Sequence, residues 1–195
     1  MTRVAGVAVA APRGDGRPLD DERLRTDDGE PVWDGPAVVQ SVKTRRVPGA
    51  ALPAGAKTHN YLNAILARLE LRRAANDSYR PDEALMRDVD GNAAEGATSN
   101  LFFVDDGALK TPAAGSLLPG ITRKLVVELA EAEGFPVETG RYSLDDVREA
   151  DEAFLTNSTW ELRPVERVDG IAVGDGPMTS LLRRLYDERV EERCY

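Results

Sequence analysis

Short apolar runs broken by Asp-Gly pairs constrain this chain more than any other feature in it. Asp90-Gly91 separates residues 83–87 from 93–97, Asp106-Gly107 separates 101–104 from 108–110, and Asp169-Gly170 separates 163–168 from 171–173. A two-residue hairpin turn needs positive φ at its centre, which glycine adopts freely and aspartate tolerates. Each flanking run is too short for a helix, so each pair reads as a hairpin. Repeated hairpins predict a largely antiparallel sheet.

Strands are also expected over residues 4–11, 37–47, 137–142 and 152–156. Helical spacing appears in three places. Leu62, Ile65, Leu66 and Leu69 form a 3.6-residue stripe that predicts a core-packed helix to about residue 75. Leu125, Val126 and Leu129 predict a helix over 122–133, stopped by Gly134. Leu181, Leu182, Leu185 and Val190 predict another over 179–192, and residues 144–149 suit a short helix. Residues 12–36 are polar and rich in Gly, Pro and Asp, an unusually long loop for a small domain.

A length of 195 residues suits one domain, or one domain and a small piece. The formal charge of −9 argues against nucleic acid as a partner, because phosphate binding needs basic patches. The longest apolar runs are too short to span a bilayer, and the N-terminus lacks a signal-peptide pattern. Cys194 has no second cysteine with which to form an internal disulfide, so a cytoplasmic location is expected. His59 is the only histidine, which rules out multi-histidine metal sites.

Lysine is scarce, occurring only at Lys43, Lys57, Lys110 and Lys124. Lys57 stands between an apolar run and a helix, where a partly buried amine could lose its proton and attack a carbonyl. Read alone, an ordinary surface lysine before a helix is the leading reading. Glu95 falls in the β-rich block, either half exposed or buried against a partner such as a protonated ring nitrogen. Leu118-Pro119-Gly120-Ile121-Thr122 opens a helix, either as a plain capped start or as an anion site of free N–H groups. Thr156-Asn157-Ser158-Thr159 is a hydroxyl-rich turn, either locally bonded or a donor set for oxyanions.

Taken in order, Lys57-Thr-His-Asn-Tyr-Leu, Glu95-Gly-Ala-Thr-Ser-Asn-Leu-Phe, Leu118-Pro-Gly-Ile-Thr-Arg, Ala150-Asp-Glu-Ala-Phe-Leu-Thr-Asn, Pro164-Val and Val168-Asp-Gly resemble the class-IV aminotransferase family. The resemblance runs from Ala37 to about Leu185. It implies an α+β fold, the C-terminal lobe of the D-amino-acid-aminotransferase-like fold, with a β-rich antiparallel core and flanking helices. It also implies pyridoxal 5'-phosphate as cofactor. Lys57 would form the Schiff base and shuttle protons. Glu95 would hold the pyridinium nitrogen, and Tyr61, one helical turn from Lys57, the ring's phenolate oxygen. Ile121, Thr122 and Ser158 would hold the phosphate, with Thr159 at the substrate carboxylate. Asn100 would brace the active-site strands.

Most of the N-terminal lobe usual in that family has no counterpart here. Residues 1–36 are read as its remnant and a linker, and 37–195 as the cofactor-binding lobe. The motifs around Lys57 and Thr156 look most like aminodeoxychorismate lyases, which form 4-aminobenzoate and pyruvate from 4-amino-4-deoxychorismate. Branched-chain transamination is the runner-up, and a truncated, non-catalytic family member is the third reading. The resemblance further implies a small-molecule amino substrate and a homodimer.

Overall fold

The computed structural model describes residues 33–194 except 54, 77, 116 and 175, with the side chains of 193 and 194 also set aside. These residues belong to one unit that begins at Trp33. The strand expected at 4–11, most of the loop expected at 12–36 and the Cys194 side chain lie outside the described residues.

Nine strands and four helices are present among the described residues, in the order β1 (Ala37–Arg45), α1 (Leu62–Ala74), β2 (Glu83–Arg87), β3 (Ala93–Gly96), β4 (Asn100–Asp105), β5 (Ala108–Pro112), α2 (Ile121–Ala132), β6 (Val137–Gly140), α3 (Leu144–Arg148), β7 (Glu152–Asn157), β8 (Glu161–Val168), β9 (Ile171–Ala172) and α4 (Pro177–Cys194). The strands form one sheet in the order β3-β2-β1-β8-β7-β4-β5-β6, with β9 on β8. All three hairpins form. Asp106 and Gly107 have φ of 51° and 71°, and Asp169 and Gly170 have 53° and 82°, the positive pair that a two-residue hairpin turn requires.

The sheet is mixed. The β2–β3, β4–β5, β4–β7, β7–β8 and β8–β9 pairs are antiparallel. The β1–β2, β1–β8 and β5–β6 pairs are parallel. Parallel neighbours need a crossover. Here α1 lies between β1 and β2, and α2 between β5 and β6.

β4 is buried on both faces, so its run Leu101-Phe102-Phe103-Val104 shows no polar alternation. Leu101 and Phe103 join Leu85, Val147, Leu155 and Val165 in one core. Phe102 and Val104 join Val126 and Leu129 of α2 and Leu182 and Tyr186 of α4 in another. Phe102 stacks on Phe154 with centroids 5.0 Å apart. Glu152 anchors α4 by accepting the N–H groups of Met178 at 3.1 Å and Thr179 at 2.7 Å.

α1 forms as expected but does not pack as expected. Leu62, Ile65, Leu66 and Leu69, the predicted core stripe, are 40–61% exposed. The helix instead places Ala67 and Leu71 against Val42, Ala84 and Met86. Small Ala67 allows a close approach to the sheet. Glu70 then ties the helix along β1 by accepting the N–H of Lys43 at 2.6 Å and of Thr44 at 3.0 Å.

Candidate active site

Hydrogen bonds join Glu95, Arg46, Asn100 and the Leu118 backbone into one cluster at the start of α2. Lys57 lies in the irregular stretch before α1 and is exposed. The residues between Lys57 and Tyr61 are not helical, and α1 starts only at Leu62. Tyr61 is therefore the N-cap of α1 rather than a residue one helical turn along from Lys57, a correction to the expected spacing. Its side chain is half exposed. Partial burial of Lys57 is likewise not found. His59 is exposed.

Glu95 is on β3, and only 6% of it is exposed. Its carboxylate is held from three sides. Arg46 Nε donates to Oε1 in an ion pair. Leu118 N–H donates to Oε2 at 2.9 Å, and Asn100 Nδ2 reaches the same oxygen at 3.3 Å. Burial pushes the Glu95 carboxyl above its ordinary range, while Arg46 and the Leu118 N–H pull it back. The sequence does not single out Arg46. Its only signal is a cation closing a valine-rich strand in a chain with a buried carboxylate to satisfy.

Arg46 also connects Glu95 to α1. Its Nη1 donates to Asn63 Oδ1 at 3.5 Å, and that oxygen accepts Val47 N–H at 3.2 Å. Asn63 Nδ2 donates to the Arg45 carbonyl at 2.8 Å. The helix that follows Lys57 is thus tied by side chains to the residues around Glu95.

Asn100 ties β4 to the segment before α2 and to Glu95. Its Nδ2 donates to the Leu118 carbonyl at 2.9 Å. A Cβ on Gly120 would overlap Asn100 Oδ1, so the start of α2 sits directly over Asn100. Gly120 caps α2 with no side-chain hydrogen bond, which leaves the first-turn N–H groups without that partner. Ile121 is 87% exposed and can contribute only through its backbone, whereas Thr122 is buried.

Thr122 and Val126 are a turn apart on the buried face of α2. Val126 packs with Phe102 and Phe154. One step along those strands, on the same face, lie Asn100 and Thr156, directly paired in register. Thr156 therefore belongs under the first turn of α2. Its hydroxyl is buried with no hydrogen-bond partner.

Ser158 and Thr159 fall in the turn between β7 and β8. Asn157 Oδ1 shapes that turn by accepting the N–H groups of Thr159 at 2.9 Å and Trp160 at 2.6 Å. Arg163 stacks over Trp160 at 5.0 Å, and Trp33 Nε1 donates to the Trp160 carbonyl at 3.0 Å. Ser158 is exposed and Thr159 half buried.

Comparison with known proteins gives a consistent answer. Residues 26–168 match the family model described as amino-transferase class IV. The branched-chain-amino-acid aminotransferase-like protein 1 of Arabidopsis thaliana is 38% identical over 167 residues, which are 83% of this chain and 29% of that protein. The branched-chain-amino-acid aminotransferase of Pseudomonas aeruginosa is 38% identical over 133 residues, 67% of this chain and 42% of that protein. Among solved structures, the branched-chain amino acid aminotransferase from Thermobaculum terrenum in its PLP-form (holo-form) superposes with a TM-score of 0.76 at 32% identity, covering 84% of this chain and 55% of that one. The chain thus spans about half or less of the length of these relatives.

Proposed function

We propose, from the premise that the chain belongs to the class IV aminotransferases, that it binds pyridoxal 5'-phosphate and takes part in amino-group transfer from branched-chain amino acids. The observation that carries this reading is the buried Glu95 with its three donors beside the uncapped start of α2.

The residues present fit the group. An ionised carboxylate offers about four acceptor positions, and the three donors at Glu95 leave room for one more, a protonated ring nitrogen. The α2 start offers N–H groups, the Thr122 hydroxyl and the unpartnered Thr156 hydroxyl at the same place, as an anionic phosphate requires. When bound, the cofactor supplies a carbonyl for an amine and an electron sink for a carbanion.

Lys57 offers an amine a few residues before α1 that would hold the cofactor's carbonyl carbon and then hold or move a proton at the substrate's α-carbon, once its surroundings were closed to water. Glu95, paired with Arg46, keeps negative charge where the ring nitrogen would sit. Tyr61 would orient the ring oxygen. Ile121, Thr122 and Ser158 would hold the phosphate, and Thr159 the substrate carboxylate.

Branched-chain transamination leads because the relatives with a named activity are branched-chain aminotransferases. Aminodeoxychorismate lyase, the first expectation from the Lys57 and Thr156 motifs, is the second reading. We further propose that residues 37–195 form the cofactor-binding lobe and 1–36 a remnant of the other lobe. The exposed apolar stripe of α1 suits self-association into a homodimer. No helix among the described residues is long and apolar enough to cross a membrane.

The purified chain with added pyridoxal phosphate should show a visible absorption band that Lys57→Ala abolishes. It should form glutamate from 2-oxoglutarate and leucine, isoleucine or valine. Formation of 4-aminobenzoate from aminodeoxychorismate instead would select the lyase. A colourless wild type would sink both and leave the non-catalytic reading.

A further inference from the structure

We infer that Glu83 is a positioning residue for the turn that carries Ser158 and Thr159, an inference that rests on the cofactor site proposed above. Glu83 is on β2 and 1% exposed. Its Oε2 accepts three bonds, from Thr98 N–H at 3.1 Å, Thr98 Oγ1 at 2.6 Å and Ser99 Oγ at 2.9 Å. Its Oε1 accepts the Ala84 N–H at 2.9 Å. A Cβ on Gly96 would come within 2.9 Å of Glu83 Cγ, so the strand is bare where the carboxylate passes.

The link to the site is continuous. Thr98, whose N–H and hydroxyl Glu83 holds, accepts Asn157 Nδ2 on its carbonyl at 3.3 Å. Asn157 then fixes the Thr159 and Trp160 N–H groups through its other side-chain atom. On the opposite side, Ser99 leads into Asn100, which meets Glu95 and the Leu118 carbonyl. One buried carboxylate therefore anchors the short turn from which both halves of the site are braced. Burial pushes that carboxyl above its ordinary range, so it is a costly anchor where an apolar side chain would serve plain packing. What an apolar residue could not do is hold the Thr98 and Ser99 donors in one orientation.

The test uses the full 195-residue chain as wild type, Glu83→Gln, Asn157→Ala and the double variant. Pyridoxal 5'-phosphate and pyridoxal are titrated by visible absorbance. They share ring and aldehyde, so the difference in affinity isolates the phosphate contacts that Ser158 helps to make. Amide hydrogen exchange at Thr159 and Trp160 is measured without ligand, against core amides of α2. Glu83→Gln should weaken pyridoxal phosphate about tenfold, as for one charge-assisted hydrogen bond, and pyridoxal less than about twofold. Thr159 and Trp160 should exchange about tenfold faster while α2 is unchanged. The double variant should be no worse than Asn157→Ala, because both act along one path.

Equal losses for both ligands, losses that multiply in the double variant, or unchanged exchange at Thr159 and Trp160 would overturn the inference. If Glu83→Gln does not fold, Thr98→Val removes one hydroxyl donor and should give the same pattern at about threefold. If the wild type binds neither ligand, the proposed function fails and the exchange measurement alone decides the role of Glu83.

Discussion

Arg46→Met is the sharpest test of how the site is held. Arg46 is the cation that balances Glu95, and the Glu95 side chain is only 8% exposed. Removing one member of a buried pair commonly costs about 3–5 kcal/mol, because the other charge is left unpaired. Two features reduce that here. Leu118 N–H and Asn100 Nδ2 remain on Glu95 Oε2, and the Arg46 side chain is 18% exposed, so water screens part of the pair. The expected loss is about 2–3 kcal/mol at pH 7, read as a fall in urea midpoint of about 1 M. The loss should depend on pH. Glu95 already has a folded-state pKa above the ordinary 4.5, and without Arg46 it rises further. A carboxyl raised in the folded state contributes stability below its unfolded pKa and loses it as pH rises through its folded pKa. The deficit of Arg46→Met should therefore be smallest near pH 4.5 and grow toward neutrality. In a Glu95→Gln background the same substitution should cost less than about 1 kcal/mol, since no buried charge is stranded. A pH-independent deficit, or an undiminished one in that background, would refute the claim that Arg46 acts by balancing Glu95.

Glu83 predicts a related pH effect on folding. Its carboxyl is also raised by burial, so wild-type stability relative to Glu83→Gln should fall as pH rises above the ordinary 4.5, measured by urea unfolding at several pH values. Phe102→Ala, which removes a ring stacked on Phe154 and fully buried, should cost about 3–5 kcal/mol in the same assay. Gly120→Ala should push its Cβ into Asn100 Oδ1 and displace the start of α2, weakening pyridoxal phosphate severalfold more than pyridoxal in the absorbance titration. Thr156→Val keeps the shape and removes the unpartnered hydroxyl. It should not destabilise the free chain, yet it should weaken pyridoxal phosphate about threefold if that hydroxyl serves the phosphate.

The hairpins are legible in sequence because their signal is local: Asp-Gly at a turn depends on two residues' backbone angles and on nothing distant. α2 is legible for a similar reason, with its apolar spacing and its terminating Gly134, whose φ is 80°. The parallel pairs of β1 with β2 and β8 are not, because a crossover's register is set by tertiary packing that no short window contains. The α1 stripe shows a different limit. Periodicity says that a helix has an apolar face, but not that the face is covered. The covered face carries Ala67 and Leu71, chosen by closeness to the sheet rather than by hydrophobicity. In the site, Glu95, Asn100 and Thr122 can be found from motifs. Arg46 cannot, since it meets Glu95 from 49 residues away, and Glu83 reads in sequence as one polar residue in a strand.

The candidate residues divide by exposure in a way that bears on chemistry. Glu95, Asn100, Thr122 and Thr156 are buried and fixed by contacts within the described unit. Lys57, Tyr61 and Ser158 are exposed. The first group would bind a ring nitrogen and a phosphate, tasks that need fixed donors and a low local dielectric, and the unit supplies both. In the second group Lys57 would carry the reaction, with Tyr61 at the ring oxygen and Ser158 at the phosphate, and proton transfer at an α-carbon runs best where water is excluded. Leu62, Ile65 and Leu66 follow Tyr61 on α1 and are open to solvent like Lys57, an apolar surface a few residues along the chain from the amine that could exclude water once covered. On the proposed reading, cofactor affinity would thus draw mainly on the buried residues and turnover on the exposed Lys57. A substitution at Glu95 or Thr122 should act on the first, and covering the α1 stripe should act on the second without touching a residue that binds the ring.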